Sequence, residues 1–212
     1  MARGRVKVED GSKRVRVLFG GEVIADSTRV KLVWERPYYP AYYLPRADVA
    51  EGVLKETDRT RRSPSRGDAQ LLDVVVGEAH ATDGAWHHPD SPVEEIRDHV
   101  RFDWDAMDAW FEEDEQVWVH PRDPYTRVDV LPSSRHVQVE VGGEIVADSH
   151  HPVLLFETGL PTRYYLPKTD VRMDLLTPSD RRTGCPYKGT AEYYDLTVDG
   201  ERHEELVWWY RS

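Results

Sequence analysis

Apolar and polar side chains alternate with a period of two through most of the chain. Val15, Val17 and Phe19 interleave with Arg16 and Leu18 and run into Gly20-Gly21, the pattern of a strand entering a tight hairpin. Val137, Val139 and Val141 interleave with Gln138 and Glu140 and run into Gly142-Gly143 in the same way. Return strands follow at 22–25 and after Gly143, and further strands at 30–34 and 153–156. Tyr42-Tyr43-Leu44 and Tyr164-Tyr165-Leu166 are aromatic and strand-like, each closed by a proline, Pro45 or Pro167. Residues 71–76 and 191–198 predict strands, the second turning at Asp199-Gly200 into a last strand that carries Val207-Trp208-Trp209-Tyr210. Val100 and Phe102 predict one more. A single stretch breaks the period. Trp104, Met107 and Phe111 are spaced i, i+3 and i+7, with Trp110 alongside, Asp105, Asp108, Glu112 and Glu113 facing away, and Asp103 placed to cap. That spacing predicts one amphipathic helix near 104–115.

The alternating pattern is written twice. Gly20-Gly21-Glu22-Val23-Ile24-Ala25-Asp26-Ser27 returns as Gly142-Gly143-Glu144-Ile145-Val146-Ala147-Asp148-Ser149, an offset of 142 − 20 = 122 residues. Trp34-Glu35 returns as Phe156-Glu157, Asp48-Val49 as Asp170-Val171, and Trp86 as Trp208, all at that offset. The expected domains are therefore a first copy over 1–122 and a second over 123–212, joined through the stiff Pro121-Arg122-Asp123-Pro124. Ser212 is the counterpart of Asp90, so the second copy has no counterpart of 91–122, the predicted helix included. The fold class is mainly β: two tandem copies of a compact antiparallel domain, with that one helix before the linker.

Charge and composition narrow the partners. A formal net charge of −11 argues against nucleic acid and anionic membrane as partners. Cys185 is the only cysteine, so no internal disulfide forms and the expected compartment is reducing and cytoplasmic. Met1-Ala2-Arg3-Gly4-Arg5 is charged with no apolar run behind it, unlike a signal peptide. No P-loop, dinucleotide fingerprint or nucleophile elbow occurs, and no cofactor is expected.

Three motifs in order carry a resemblance: Gly142 to Ser149, Phe156-Glu157-Thr158-Gly159-Leu160-Pro161-Thr162-Arg163-Tyr164-Tyr165-Leu166-Pro167, and Thr183-Gly184-Cys185-Pro186-Tyr187-Lys188-Gly189-Thr190-Ala191-Glu192-Tyr193-Tyr194. They resemble the bacterial family called domain of unknown function 427, most closely from about 135 onward and more loosely through the first copy. The resemblance implies a mostly antiparallel domain of several small coiled sheets. The family sometimes carries a nucleotidyltransferase-like label. Two-metal chemistry needs a carboxylate clamp, and here Asp148 is followed by Ser149 and His150 with no second acid, so the label finds little support.

The most site-like stretch is Thr183 to Gly189, where a thiol, a phenol and an ammonium lie between two glycines. The first copy has Ser63, Ser65 and Arg66 in place of Cys185, Tyr187 and Lys188, so its site reads as degenerate. Glu157 follows an apolar strand and suits a general base or a ligand contact. Arg163 stands where the first copy has Ala41 and suits an anion. The expected pocket places Cys185, Tyr187 and Lys188 on one wall, opposite Glu157, Arg163, Tyr165 and Trp208, with Cys185, Lys188 and Glu157 as candidate catalytic groups. The bland reading of each is a turn, a packed thiol or a structural ion pair. His87-His88 and His150-His151 are adjacent pairs whose members point to opposite faces of a strand, and no metal site is expected from them. Two functions fit: a binder of a small anionic or nucleotide-like ligand with one pocket in the second copy, or a non-catalytic protein-interaction module. The aromatic surface of the second copy is expected to be covered, either by 91–122 or by a second chain in a homodimer.

Overall fold

The computed structural model describes residues 6–210; the charged run from Met1 to Arg5 lies outside it. The chain divides into two compact units between Asp123 and Pro124, and both are built almost wholly of antiparallel strands. Every helical segment among the described residues is a three-residue 3-10 turn. No helix is long and apolar enough to cross a membrane.

The first unit has eleven strands: β1 (Lys7–Asp10), β2 (Val15–Phe19), β3 (Glu22–Ser27), β4 (Lys31–Trp34), β5 (Ala41–Pro45), β6 (Leu54–Arg61), β7 (Ala69–Val76), β8 (Ala79–His87), β9 (His99–Phe102), β10 (Ala109–Glu112) and β11 (Glu115–Val117). Seven of them form one sheet in the order β1-β4-β5-β9-β8-β7-β6, and the others form β11-β10-β2-β3. Strand β9 is the keystone of the larger sheet. It pairs Val100 with Leu44 of β5 on one side, and Phe102 with Ala85 of β8 on the other. Val100 and Phe102 drop into a core of Val17, Ile24, Tyr42, Leu44, Leu72, Val74 and Trp110.

The second unit repeats eight of these strands: β12 (Val128–Pro132), β13 (Val137–Val141), β14 (Glu144–Ser149), β15 (Val153–Glu157), β16 (Arg163–Tyr165), β17 (Leu176–Cys185), β18 (Gly189–Val198) and β19 (Glu201–Tyr210). They form three separate sheets, β12-β15-β16, β13-β14 and β17-β18-β19. The repeated phrase is explained by its turn. Gly20 and Gly21 have φ of 61° and 78°, and Gly142 and Gly143 have 60° and 86°, the double left-handed conformation that a two-residue hairpin demands and side chains resist. Both hairpins carry a bulge at the same place, after Val17 and after Val139. The Asp-Ser end of the phrase also has a local job. Ser27 donates to Asp48, and Ser149 donates to Asp170, each at 2.6 Å, fastening hairpin to 3-10 turn in both copies.

The helix expected near 104–115 does not form. Residues 103–108 make turns, and Ala109–Glu112 extends as β10 along β2, pairing Trp110 with Val17. Tertiary pairing overrides the period: β2 offers an open ladder, and one added strand satisfies more backbone than a short helix rich in aspartate. The turn also stacks Trp104 on Trp110 with centroids 4.7 Å apart, and Trp110 donates to the Trp104 carbonyl at 3.2 Å. Glu112, expected to face water, is buried and accepts from the Tyr42 hydroxyl and from Lys13 at 2.6 Å. The segment 91–122 thus spends its strands within the first copy.

Candidate functional site

The offset of 122 lets the two copies be compared position by position. In the first copy, Glu35 directly follows β4 and is mostly enclosed. It accepts from the Tyr43 hydroxyl at 2.7 Å and lies 3.3 Å from Arg66 and 3.2 Å from Arg101. Arg101 comes from β9 and spreads its guanidinium over the Trp86 ring at 4.3 Å, a ring also faced by Arg61 at 4.1 Å. A carboxylate, two guanidiniums, a phenol and an indole therefore form one buried network on the far side of the sheet from Val100 and Phe102.

The second copy keeps the carboxylate and one cation. Glu157 ends β15, and Lys188 reaches it at 2.5 Å, both side chains mostly buried. Lys188 stands at the position of Arg66, so this ion pair is common to both copies although the turn around it differs. Among the described residues no strand stands in the place of β9, and none corresponds to Arg101. The Trp208 indole donates to the Tyr165 hydroxyl at 3.2 Å, a bond across the gap between β16 and β19. Tyr210, at the position of His88, packs its ring 6.1 Å from that of Tyr165. Burial pushes its phenol up to about 12, with Tyr165, Cys185 and Glu157 adding to the shift.

Cys185, Glu157, Lys188, Tyr165, Trp208 and Tyr210 are thus one neighbourhood. Cys185 closes β17 opposite Gly189, with Pro186, Tyr187 and Lys188 making the turn between them. The Lys188 ammonium of this turn is engaged by Glu157. Tyr187 is half-buried in that turn, and Arg163 is exposed on β16 opposite Leu155. No arrangement of nucleophile, base and orienting group emerges from these contacts.

Beside this neighbourhood lies a cavity of about 290 Å³ lined by Val139, Val146, Tyr164, Leu176, Leu196 and Leu206, with Trp208, Trp209 and Lys168 at its mouth. Subtracting 122 turns this lining into the core of the first copy: Val17, Ile24, Tyr42, Leu54 and Val74, with Gly84 for Leu206. Part of what is core in the first copy is surface in the second, while Val146 and Leu196 stay buried. Tyr42 is 3% exposed and Tyr164 50%; Trp86 is 6% exposed and Trp208 37%. The ammonium of Lys168 sits 3.5 Å over the Trp209 ring. Leu206, Lys168 and Tyr210 were missed by motif reading. Subtracting the repeat offset could have found Leu206 and Tyr210, since they face glycine and histidine in the first copy.

Among the described residues, His136, Asp148 and His150 form a group whose ligand atoms all lie within 4.8 Å of one another. The adjacent His150-His151 pair hides this arrangement in the sequence, because the partner of His150 comes from the neighbouring strand.

A family model described as a domain of unknown function, DUF427, matches residues 7–113 and again 129–212. No curated protein matches the chain.

Proposed function

Because the chain belongs to the DUF427 family as two tandem copies, a family whose description assigns no activity, we propose its function from what distinguishes the copies. It is a non-catalytic interaction module whose second copy takes an extended polypeptide segment into the cleft between β16 and β19. The observation that carries this is a partial exchange of core for surface: Val17 and Tyr42 are buried around β9 in the first copy, and their counterparts Val139 and Tyr164 are exposed along a cleft in the second, over a floor of buried Val146 and Leu196.

The chemistry of the segment follows from β9. A strand laid between β16 and β19 would find a free ladder on each side, since β16 pairs only with β15 and β19 only with β18 among the described strands. Main-chain hydrogen bonds supply affinity in such additions, and alternate side chains supply specificity. Val100 and Phe102 point into the core while Arg101 meets Glu35. The matching ligand is apolar, basic, apolar, with the basic residue meeting Glu157 and Trp208.

A fluorescent peptide with the sequence of residues 97–104, titrated with the full chain, tests this reading. Saturable binding near 10 µM is expected, about −7 kcal/mol, and Leu206→Arg in the protein should weaken it at least about tenfold by filling the cleft. A scrambled peptide that binds equally well, or no binding below about 1 mM, would sink the proposal. A second reading, a small aromatic ligand bearing an acid, is favoured by Lys168 at the mouth beside Trp209. It calls for binding that Lys168→Ala abolishes and the peptide displaces.

A further inference from the structure

The hairpin of β13 and β14 carries a second set of chemistry on its exposed face. Its register pairs Val137 with Ser149 and Gln138 with Asp148, so one step further along His136 lies opposite His150. Alternation then puts His136, Gln138, Asp148 and His150 on one face, at the corners of two adjacent cross-strand pairs, where β-carbons stand about 5 Å apart. Val137 and Ser149 point the other way, and Ser149 is buried.

The contacts agree with this placement. His136 Nε2 lies 2.7 Å from Asp148 Oδ1, and Gln138 Nε2 donates to Asp148 Oδ2 at 2.9 Å. The rings of His136 and His150 stack with centroids 4.0 Å apart. The Gln138 and His136 hydrogen bonds hold the Asp148 carboxyl below the usual carboxylate range, keeping it ionised. All three candidate ligands are exposed, and their ligand atoms lie within 4.8 Å of one another.

The first copy supplies the comparison. The same square there is Arg14, Arg16, Asp26 and Thr28, and Arg14 makes a two-pronged ion pair with Asp26. The second copy keeps the carboxylate, replaces its guanidinium partner with an imidazole, and adds a second imidazole in place of Thr28. A surface ion pair contributes little to stability, so stability does not require this exchange. What it changes is donor chemistry. Arginine binds no metal, whereas two neutral imidazoles and a carboxylate are the donors of a borderline transition-metal ion.

We propose that His136, His150 and Asp148 form a surface site for a divalent transition-metal ion of the zinc, nickel or copper class. The ion takes the place of the proton between His136 and Asp148, which requires their N···O separation to widen from 2.7 Å to about 3.3 Å. The stacked rings lie in nearly parallel planes, so His150 must rotate about its side-chain torsions to converge on a shared ion, and its exposure leaves room for that. Calcium and magnesium are disfavoured, because they require oxygen donors. Three protein ligands leave one position of a tetrahedral ion to water. The bound ion would clasp the open ends of β13 and β14, which among the described strands pair only with each other.

Isothermal titration of the untagged full chain with zinc chloride at pH 7.5 tests the site. One equivalent with a dissociation constant of about 1–10 µM is expected. His136→Ala and His150→Ala should each weaken binding at least about tenfold. His80→Ala should change nothing, although His80 lies 3.4 Å from Asp73 in the first copy. X-ray absorption of the loaded protein should report two imidazoles on the ion. The proposal is overturned if zinc binding survives unchanged in the double His136/His150 variant, or if no saturable binding occurs below about 100 µM. Both histidines are exposed, so the variants should keep the wild-type circular dichroism spectrum and the test does not depend on a damaged fold.

Discussion

Phe102→Ala is expected to destabilise the first copy by about 3–5 kcal/mol, the range for deleting a buried phenylalanine. The side chain is 1% exposed and lies at the end of β9, opposite Ala85 of β8. Its removal subtracts apolar burial and leaves a cavity that strands paired on both sides cannot collapse to fill. The first copy's larger sheet is one piece because β9 is in it; among the described residues the second copy's corresponding strands form two sheets. Amide hydrogen exchange should therefore rise through β5, β8 and β9 and stay unchanged in β17 to β19. Tyr164→Ala, at the copy-two position of buried Tyr42, should cost less than about 1 kcal/mol, as surface substitutions do. Urea denaturation gives both numbers. A Phe102→Ala cost below about 1 kcal/mol, or a Tyr164→Ala cost as large as that of Phe102→Ala, would contradict the exchange of core for surface.

The second large effect is expected at Glu35. Removing a carboxylate that holds two enclosed guanidiniums leaves their charge uncompensated, and breaking such a buried pair costs about 3–5 kcal/mol. Glu35→Ala strands Arg66 and Arg101 and removes the acceptor of the Tyr43 hydroxyl. Adding Arg101→Leu should recover part of the loss by removing one of the stranded charges, a non-additivity that a double-mutant cycle measures. Glu157→Ala in the second copy releases only Lys188, a flexible ammonium that can turn toward water, and should cost about 1–3 kcal/mol. If Glu35→Ala and Glu157→Ala cost the same, the β9 arginine contributes nothing to the network. A basic residue would then be no requirement of the segment that the second copy binds.

The helix near 104–115 and the clustered histidines mark where linear reading stops. Trp104, Met107 and Phe111 fit a helical face by spacing alone, yet Trp110 is placed by the ladder of β2. A ladder offered by a strand more than ninety residues earlier leaves no local signature. Glu112 illustrates the same point: it reads as solvated, and Tyr42 and Lys13 make it a buried acceptor. His136 and His150 look unrelated until hairpin register sets them across from one another. Cys185, Lys188 and Glu157 were legible as candidates because they stand in a glycine-bounded turn and after an apolar strand. Their pairing as a neutralised cluster depends on which strands bring them together.

Local chemistry determined what is local. Alternation set the strands, double glycines set the repeated hairpins because glycine takes a positive φ with no side chain to clash, and the 122-residue offset set the two copies. Tertiary structure decided which of those strands share a sheet, and therefore which side of each copy is closed. Sheet membership is a property of edges, satisfied by whichever strand reaches them, and an edge has no code in its own sequence. That is why nearly the same residues make a sealed core around β9 in one copy and an open aromatic cleft in the other.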